Sequence, residues 1–335
     1  MSAPTAGPDS VVLIGTGGFG RTWWPSLDAD EYRVVAVVEP DAAERQAAAA
    51  HFGLGDAQVY DADEDWSGVE ATLVIDSSPF PAHPAHAEQA CAARADLLVA
   101  KPMASTLAEA RPMVLRADEA GLRLAVAQQM RYFPCFIALR DALAARLAGR
   151  PVAARVRMAL DGRGWAPGMA WRLAMDHPLL LEAGIHHFDL LRSVFATEFP
   201  DVSAASWNPP WSPFAGDTTV SAVLRGEDGL VVTYDATFAP APGDEAVRFD
   251  SGWQVVCEAG TLTVRDGGLY LDGALIGGKP AAEPVSLEEL NRALLADWRS
   301  ARIDGGESAI SGRANLASLE MVAAAIDSCA GKETR

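Results

Sequence analysis

Three short stretches hold residue types at spacings that could do chemistry. In "GTGGFG" the glycines Gly15, Gly17 and Gly20 stand in G-x-G-x-x-G spacing directly after the apolar run "VVLIG". The first glycine permits a tight turn and the second lets backbone approach a pyrophosphate, with Thr16, Gly18 and Phe19 completing the loop. Glu39 closes the next apolar run, "YRVVAVVEP", where its carboxylate can accept from both ribose hydroxyls of an adenosine. A 2'-phosphate would meet repulsion there, and Pro40, Asp41, Ala42 and Ala43 offer no arginine to hold it, so the pattern predicts NAD rather than NADP.

The second stretch is "DLLVAKPMAS" (96–105), a buried-strand pattern that ends in Lys101, with Pro102 forbidding continuation. The third is "LLLEAGIHHFDLLRSVF". At 100° per residue Glu182, His186, Asp189 and Ser193 fall in one polar stripe of a helix, and His187 falls on the apolar side as a core or interface histidine. A carboxylate one turn from a histidine sets its tautomer and raises its basicity, which suits a general base near pH 7. Glu182, His186 and Asp189 lack a further ligand at any recognisable metal spacing, so no metal is expected. His83 and His86 open a helix after "SSPFP", at the carboxyl end of a strand where ligands of such sheets bind. Of the two, His83 is expected to approach the cofactor and His86 to pack.

These stretches need elements to hold them. Apolar strands alternate with helical patterns from residue 10 to about 128, which predicts a doubly wound parallel sheet. Between 150 and 280 the runs "VAARVRMAL", "TTVSAVLRG", "LVVTYDATFA" and "TLTVRDGGLYL" alternate apolar and polar residues, and turn pairs such as Asp228-Gly229 join them. That predicts a largely antiparallel sheet in a second, α+β domain, with helices at 175 to 196 and from about 286 onward. The domains are expected at 1–128 and 129–335.

Half of the 335 residues are apolar, enough for two cores. With 27 Lys+Arg against 45 Asp+Glu the formal charge is −18, which repels phosphate backbones and anionic lipid, so neither nucleic acid nor a membrane surface is an expected partner. No apolar run approaches the roughly 18 residues of a membrane span, and "MSAPTAGPDS" lacks the pattern of a signal peptide, so a cytoplasmic location is expected. Cys91, Cys135, Cys257 and Cys329 show no C-x-x-C spacing and read as reduced thiols.

Together "VVLIGTGGFG", "VAKPMA" and "EAGIHHFDLLR" resemble, in order and separation, the motifs of the Gfo/Idh/MocA oxidoreductases, named for glucose-fructose oxidoreductase and inositol dehydrogenase. The likeness covers nearly the whole chain. It implies a Rossmann domain that binds NAD, followed by a substrate-binding α+β domain with an open sheet, whose outer face makes a homodimer or homotetramer. It implies hydride transfer between the nicotinamide and a secondary alcohol of a sugar, polyol or cyclitol. Two alternative readings keep the same fold: a ketoreductase of a modified or nucleotide-linked sugar, and a non-catalytic dinucleotide-sensing binding protein.

Carried over by position, the catalytic residues are Lys101, Glu182 and His186. The cofactor contacts are Gly15 through Gly20, Glu39, Ser77, Ser78, Pro79, His83, Lys101 and Pro102, with a cis bond suggested at Lys101-Pro102. Arg131, Tyr132, Trp165, Trp171, Arg172 and Asp189 are candidates to line the substrate pocket. The chain departs from the family pattern at three places: Ala100 stands where a glutamate usually precedes the lysine, Glu182 replaces an aspartate, and Asp176-His177-Pro178 replaces three glycines.

Overall fold

The computed structural model describes residues 7–165, 170–281 and 283–330. They divide into two compact units, one running to Gln128 and taking in Ser286–Leu316, the other comprising Gln129–Val285 and the chain from Ala317 onward.

The first unit is built on a six-stranded parallel sheet of β1 (Asp9–Ile14), β2 (Tyr32–Val38), β3 (Val59–Tyr60), β4 (Leu73–Asp76), β5 (Asp96–Ala100) and β6 (Leu124–Ala127), in spatial order β3-β2-β1-β4-β5-β6. This is the doubly wound dinucleotide-binding order, with its switch point between β1 and β4. Val11 to Ile14, Leu73 to Asp76 and Leu97 to Val99 are all buried, because helices cover both faces and no strand position is left for solvent. Helix α1 (Ala42–Phe52) starts where the Asp41 carboxylate accepts from Ala43 N and Glu44 N, and stops at Gly53 with φ +68°. Helix α2 (His83–Ala92) follows β4, and α3 (Leu107–Glu119) opens with a Thr106/Glu109 capping box.

The first unit departs from the sequence expectation in two ways. The helix after the glycine loop is a 3-10 segment, Gly20–Ser26, since Pro25 lacks an N–H and its ring crowds the carbonyl four residues back. The second domain is also not continuous from 129 to 335. Helix Leu287–Asp304 packs with the first unit, where Asn291 Nδ2 donates to the Thr22 carbonyl (3.1 Å) and Arg302 reaches Asp9 and Asp96 at 2.8 Å each. Those two carboxylates begin β1 and β5, so the arginine ties the helix to the amino ends of the sheet.

The second unit holds an eight-stranded mixed sheet: β7 (Pro151–Ala159), β8 (Asp201–Trp207), β9 (Thr219–Arg225), β10 (Val231–Thr237), β11 (Trp253–Cys257), β12 (Gly260–Arg265), β13 (Gly268–Leu271) and β14 (Ala274–Gly278). Its order is β14-β13-β12-β11-β7-β10-β9-β8, and β7 with β10 forms the parallel pair among otherwise antiparallel neighbours. Helix α4 (Pro134–Ala144) lies on β12 to β14. The helical stretch expected over 175–196 opens on a π turn, and a further short helix precedes it. A short α5 (Ala170–Leu173) is followed by a π-helical turn at Leu180–Gly184, and only then by α6 (Ile185–Phe195).

Candidate active site

The glycine turn is built around missing side chains. A Cβ on Gly20 would lie 1.7 Å from the Gly15 carbonyl oxygen, and one on Gly15 (φ +72°) would lie 2.7 Å from Ser78 N. No residue but glycine fits either place. Ser77 seals the turn from the β4 side: its amide donates to the Ile14 carbonyl (2.7 Å) and its hydroxyl accepts from Trp23 Nε1 (2.9 Å). Glu39 is 7% exposed and accepts from Thr16 N (2.7 Å), Gly17 N (3.1 Å) and Asp41 N (3.0 Å). The acid is therefore fixed to the loop itself by three backbone amides. The cradle matches what a dinucleotide needs, close backbone approach at Gly15 to Gly20 and a fixed acceptor at Glu39.

Arg45 was not singled out from the sequence. Its guanidinium reaches the carbonyls of Glu39 and Pro40 (3.1 Å for Pro40) and the Asp61 carboxylate (3.2 Å). Three acceptors hold it at the end of β2.

Lys101 follows β5 directly, and the Lys101-Pro102 bond is cis. Pro102, Met103 and Ala104 are buried after it. Gly15 leaves β1, Ser77 and Ser78 leave β4 and Lys101 leaves β5, so adjacent strands deliver all of them to one carboxyl edge of the sheet.

Behind that edge lies a network that sequence reading passed over. Asp76 ends β4 wholly buried, accepting from Ser78 N (2.9 Å) and paired with His86 Nδ1 (2.9 Å). Burial pushes its carboxyl up, but the charge of His83 and the contacts of His86 and Ser78 outweigh this and hold it at about 2. His86 packs as expected, with Asp76 and the Ser78 hydroxyl as partners. His83 does not take the place expected of a cofactor contact. It is fully buried, and both of its ring nitrogens meet backbone carbonyls, leaving neither for a ligand.

In the second unit Glu182 lies in the π turn, where the amide of Ile185 reaches back five residues to Leu180. Such turns insert a residue into a helix and are common at functional sites. The stretch before it is pinned by loop 214–217: Ala215 N donates to the Leu173 carbonyl (2.7 Å), Asp217 N donates to that of Asp176 (3.0 Å), and a Cβ on Gly216 would fall 2.0 Å from Asp176 O. Arg172 Nε stands 3.2 Å from Glu182 Oε2, and its guanidinium lies 4.9 Å over the Trp171 ring. The extra methylene of Glu182 thus carries its carboxylate to an arginine that the sequence offered only as a pocket-lining residue.

His186 and His187 are both buried, because α6 is covered along the whole run from Ile185 to Leu191 rather than along one stripe. His187 is a core histidine: Nδ1 lies 3.0 Å from the Tyr234 hydroxyl, the ring stacks on Phe249, and desolvation pulls its pKa down to about 3. His186 meets Phe249 edge-on at 5.8 Å. Tyr132 ends a 3-10 turn, Gln129–Tyr132, and the side chain of Trp165 lies outside the described residues.

Arg131 and Asp189, both expected along the substrate pocket, are placed against each other. Arg131 Nε and a terminal nitrogen donate to Asp189 at 2.5 and 2.7 Å, and Ser318 Oγ adds a third bond at 3.1 Å. Asp189 is 1% exposed, so this is a buried fork-to-fork pair that fixes α6. Arg131→Ala is expected to cost about 3–5 kcal/mol of unfolding free energy by stranding that carboxylate, and the double variant with Asp189→Leu to recover most of it. Urea denaturation of the two proteins checks this.

The chain matches the model of an oxidoreductase family with an NAD-binding Rossmann fold over residues 10–128, and that of the GFO/IDH/MocA C-terminal domain over 136–263. The chain belongs to the GFO/IDH/MocA oxidoreductase family. It is 29% identical to a D-apiose dehydrogenase of Paraburkholderia graminis over 93% of this chain and 85% of that one. It is 31% identical to inositol 2-dehydrogenase 1 of Saccharopolyspora erythraea over 74% and 70%. The crystal structure of an Agrobacterium radiobacter oxidoreductase in complex with NAD+, L-tartaric acid and magnesium shares the fold, with a TM-score of 0.84 at 19% identity over 96% of each chain. This chain is accordingly an oxidoreductase with an NAD-binding Rossmann domain. Among the described residues no helix is long and apolar enough to cross a membrane.

Proposed function

We propose that this protein is an NAD-dependent dehydrogenase that oxidises a secondary alcohol of a sugar, polyol or cyclitol. The observation that carries the reading is the delivery of Lys101 to the sheet edge that also holds the glycine cradle and Glu39. Bound NAD supplies the hydride acceptor. The side chains supply the rest. The Lys101 ammonium stabilises negative charge as it develops on the reacting oxygen and relays its proton. His186 takes the hydroxyl proton on an imidazole nitrogen. Glu182, held by Arg172, orients the substrate through a neighbouring hydroxyl, and Trp171 beside them offers a ring face for sugar C–H groups. The two named relatives, one for apiose and one for inositol, support the polyhydroxylated class. Self-association through the outer face of the second sheet, where Val223 and Trp207 are exposed, belongs to the same proposal.

The test is NADH formation over a panel of cyclitols, aldoses and sugar acids that includes myo-inositol and D-apiose. Turnover of one of these supports the reading, and tight NAD binding with no turnover on any of them sinks it. Cofactor choice follows from Glu39. A 2'-phosphate would be set against a buried carboxylate, and Arg45 is already engaged, so NAD is expected to bind about a hundredfold more tightly than NADP. Glu39→Ser should narrow that ratio to about tenfold or less. Calorimetric titration of both dinucleotides decides it, and wild-type preference for NADP would contradict the assignment.

A further inference from the structure

His83, the first residue of α2, is 0% exposed. Its Nε2 lies 3.0 Å from the Ser78 carbonyl oxygen and its Nδ1 lies 3.1 Å from that of Met103. The two carbonyls belong to different loops. Ser78 follows β4 and abuts the glycine turn, whereas Met103 follows β5 just beyond Lys101. Carbonyl oxygens only accept, so a ring with a single N–H satisfies one of them and turns a lone pair on the other. The ring that donates to both is protonated on both nitrogens. A positive charge inside the protein then needs a balancing partner, and the wholly buried Asp76 provides one. Asp76 in turn holds His86 and the Ser78 amide, so Asp76, His83, His86 and Ser78 form one closed cluster beneath the loops.

We propose that His83 is the positioning residue of Lys101: a buried imidazolium, balanced by Asp76, that ties the loop after β4 to the loop after β5 and so fixes the lysine relative to the glycine cradle. The inference rests on the role proposed for Lys101 above. It gives the sequence "PFPAH" a purpose that neither cofactor contact nor plain packing explains. A core position asks only for volume, but this one presents two carbonyls facing each other across a ring with a nitrogen turned to each. Without the tie, the Met103 carbonyl loses its partner and the segment from Lys101 to Ser105 is released from the β4 loop.

The experiment compares His83→Phe, which keeps a ring but removes both donors, with His83→Gln, which keeps a donor, and with Lys101→Ala. His83→Phe is expected to speed hydrogen exchange of the Lys101 to Ser105 amides by about tenfold. It should lower kcat on the best panel alcohol by about a hundredfold, with NAD affinity and KM within about threefold of wild type. His83→Gln should fall between the two. Unchanged exchange and kcat in a folded His83→Phe protein would overturn the proposal. If Lys101→Ala keeps full activity, the role of Lys101 fails instead, and the exchange result still judges the tie. Should His83→Phe not fold, nitrogen-15 spectra of the wild-type protein decide: two protonated ring nitrogens on His83 are expected, and one bare nitrogen refutes the imidazolium.

Discussion

Lys101→Ala is expected to lower kcat/KM by about a thousandfold or more while NAD affinity stays within a few-fold of wild type. Binding and chemistry separate here because the proposed mechanism assigns them to different groups. On the proposed reading the dinucleotide is met by backbone at Gly15 to Gly20 and by Glu39, whose bonds to Thr16, Gly17 and Asp41 do not involve the lysine. In the proposed mechanism Lys101 enters only where charge develops, and an interaction made only in the transition state lowers kcat when it is removed. Lys101→Arg sharpens the test. The guanidinium keeps a positive charge but is a broad planar fork that does not give up a proton at working pH. An electrostatic role alone would leave Lys101→Arg well above Lys101→Ala, whereas a proton-relay role would leave the two variants alike. Steady-state rates with the best panel alcohol, beside NAD titrations of each variant, read both quantities. A Lys101→Ala enzyme within tenfold of wild type would remove the lysine from the mechanism.

The sheet of the first unit was legible because strands buried on both faces must be apolar throughout, and "VVLIG", "LVID" and "DLLVA" carry that mark. β3 was not, since its two residues hold no period to detect. The site was legible where it depends on local chain geometry. Glycine spacing and the Lys-Pro break each act within a few residues, and both appear where expected. What the sequence concealed is pairing at a distance. Nothing near Asp189 announces that Arg131 will close on it, and nothing near Glu182 announces Arg172. The stripe drawn at 100° per residue also assumed one regular helix, and the π turn at Leu180–Gly184 changes the angle between Glu182 and His186. The acid at the end of "LVID" was visible, with two histidines on the helix that follows, but burial alone turned those three residues into a cluster.

Gly20→Ala is expected to weaken NAD binding by at least about a hundredfold, and Gly18→Ala by about tenfold at most. The two glycines share a loop and differ in what surrounds them. At Gly18 (φ +45°) nothing lies within 4 Å of a new Cβ, so alanine there bears only the cost of a left-handed backbone, about 1–2 kcal/mol. At Gly20 the new atom would sit 1.7 Å from the Gly15 oxygen and 3.4 Å from Ser77 Cβ, so one wall of the turn has to move by more than an ångström. Gly15 cannot yield freely. Its amide donates to the Val38 carbonyl at 2.9 Å, and its own Cβ position is already closed by the Ser77-Ser78 backbone. The displacement therefore falls on Thr16 and Gly17, whose amides hold Glu39. Losing two charge-assisted bonds of about 1.5–3 kcal/mol each, together with the backbone approach to the pyrophosphate, exceeds the roughly 2.7 kcal/mol that a hundredfold represents. Calorimetric titration with NADH measures both variants, and a Gly20→Ala protein that binds like wild type would show that the cradle is not where the dinucleotide rests.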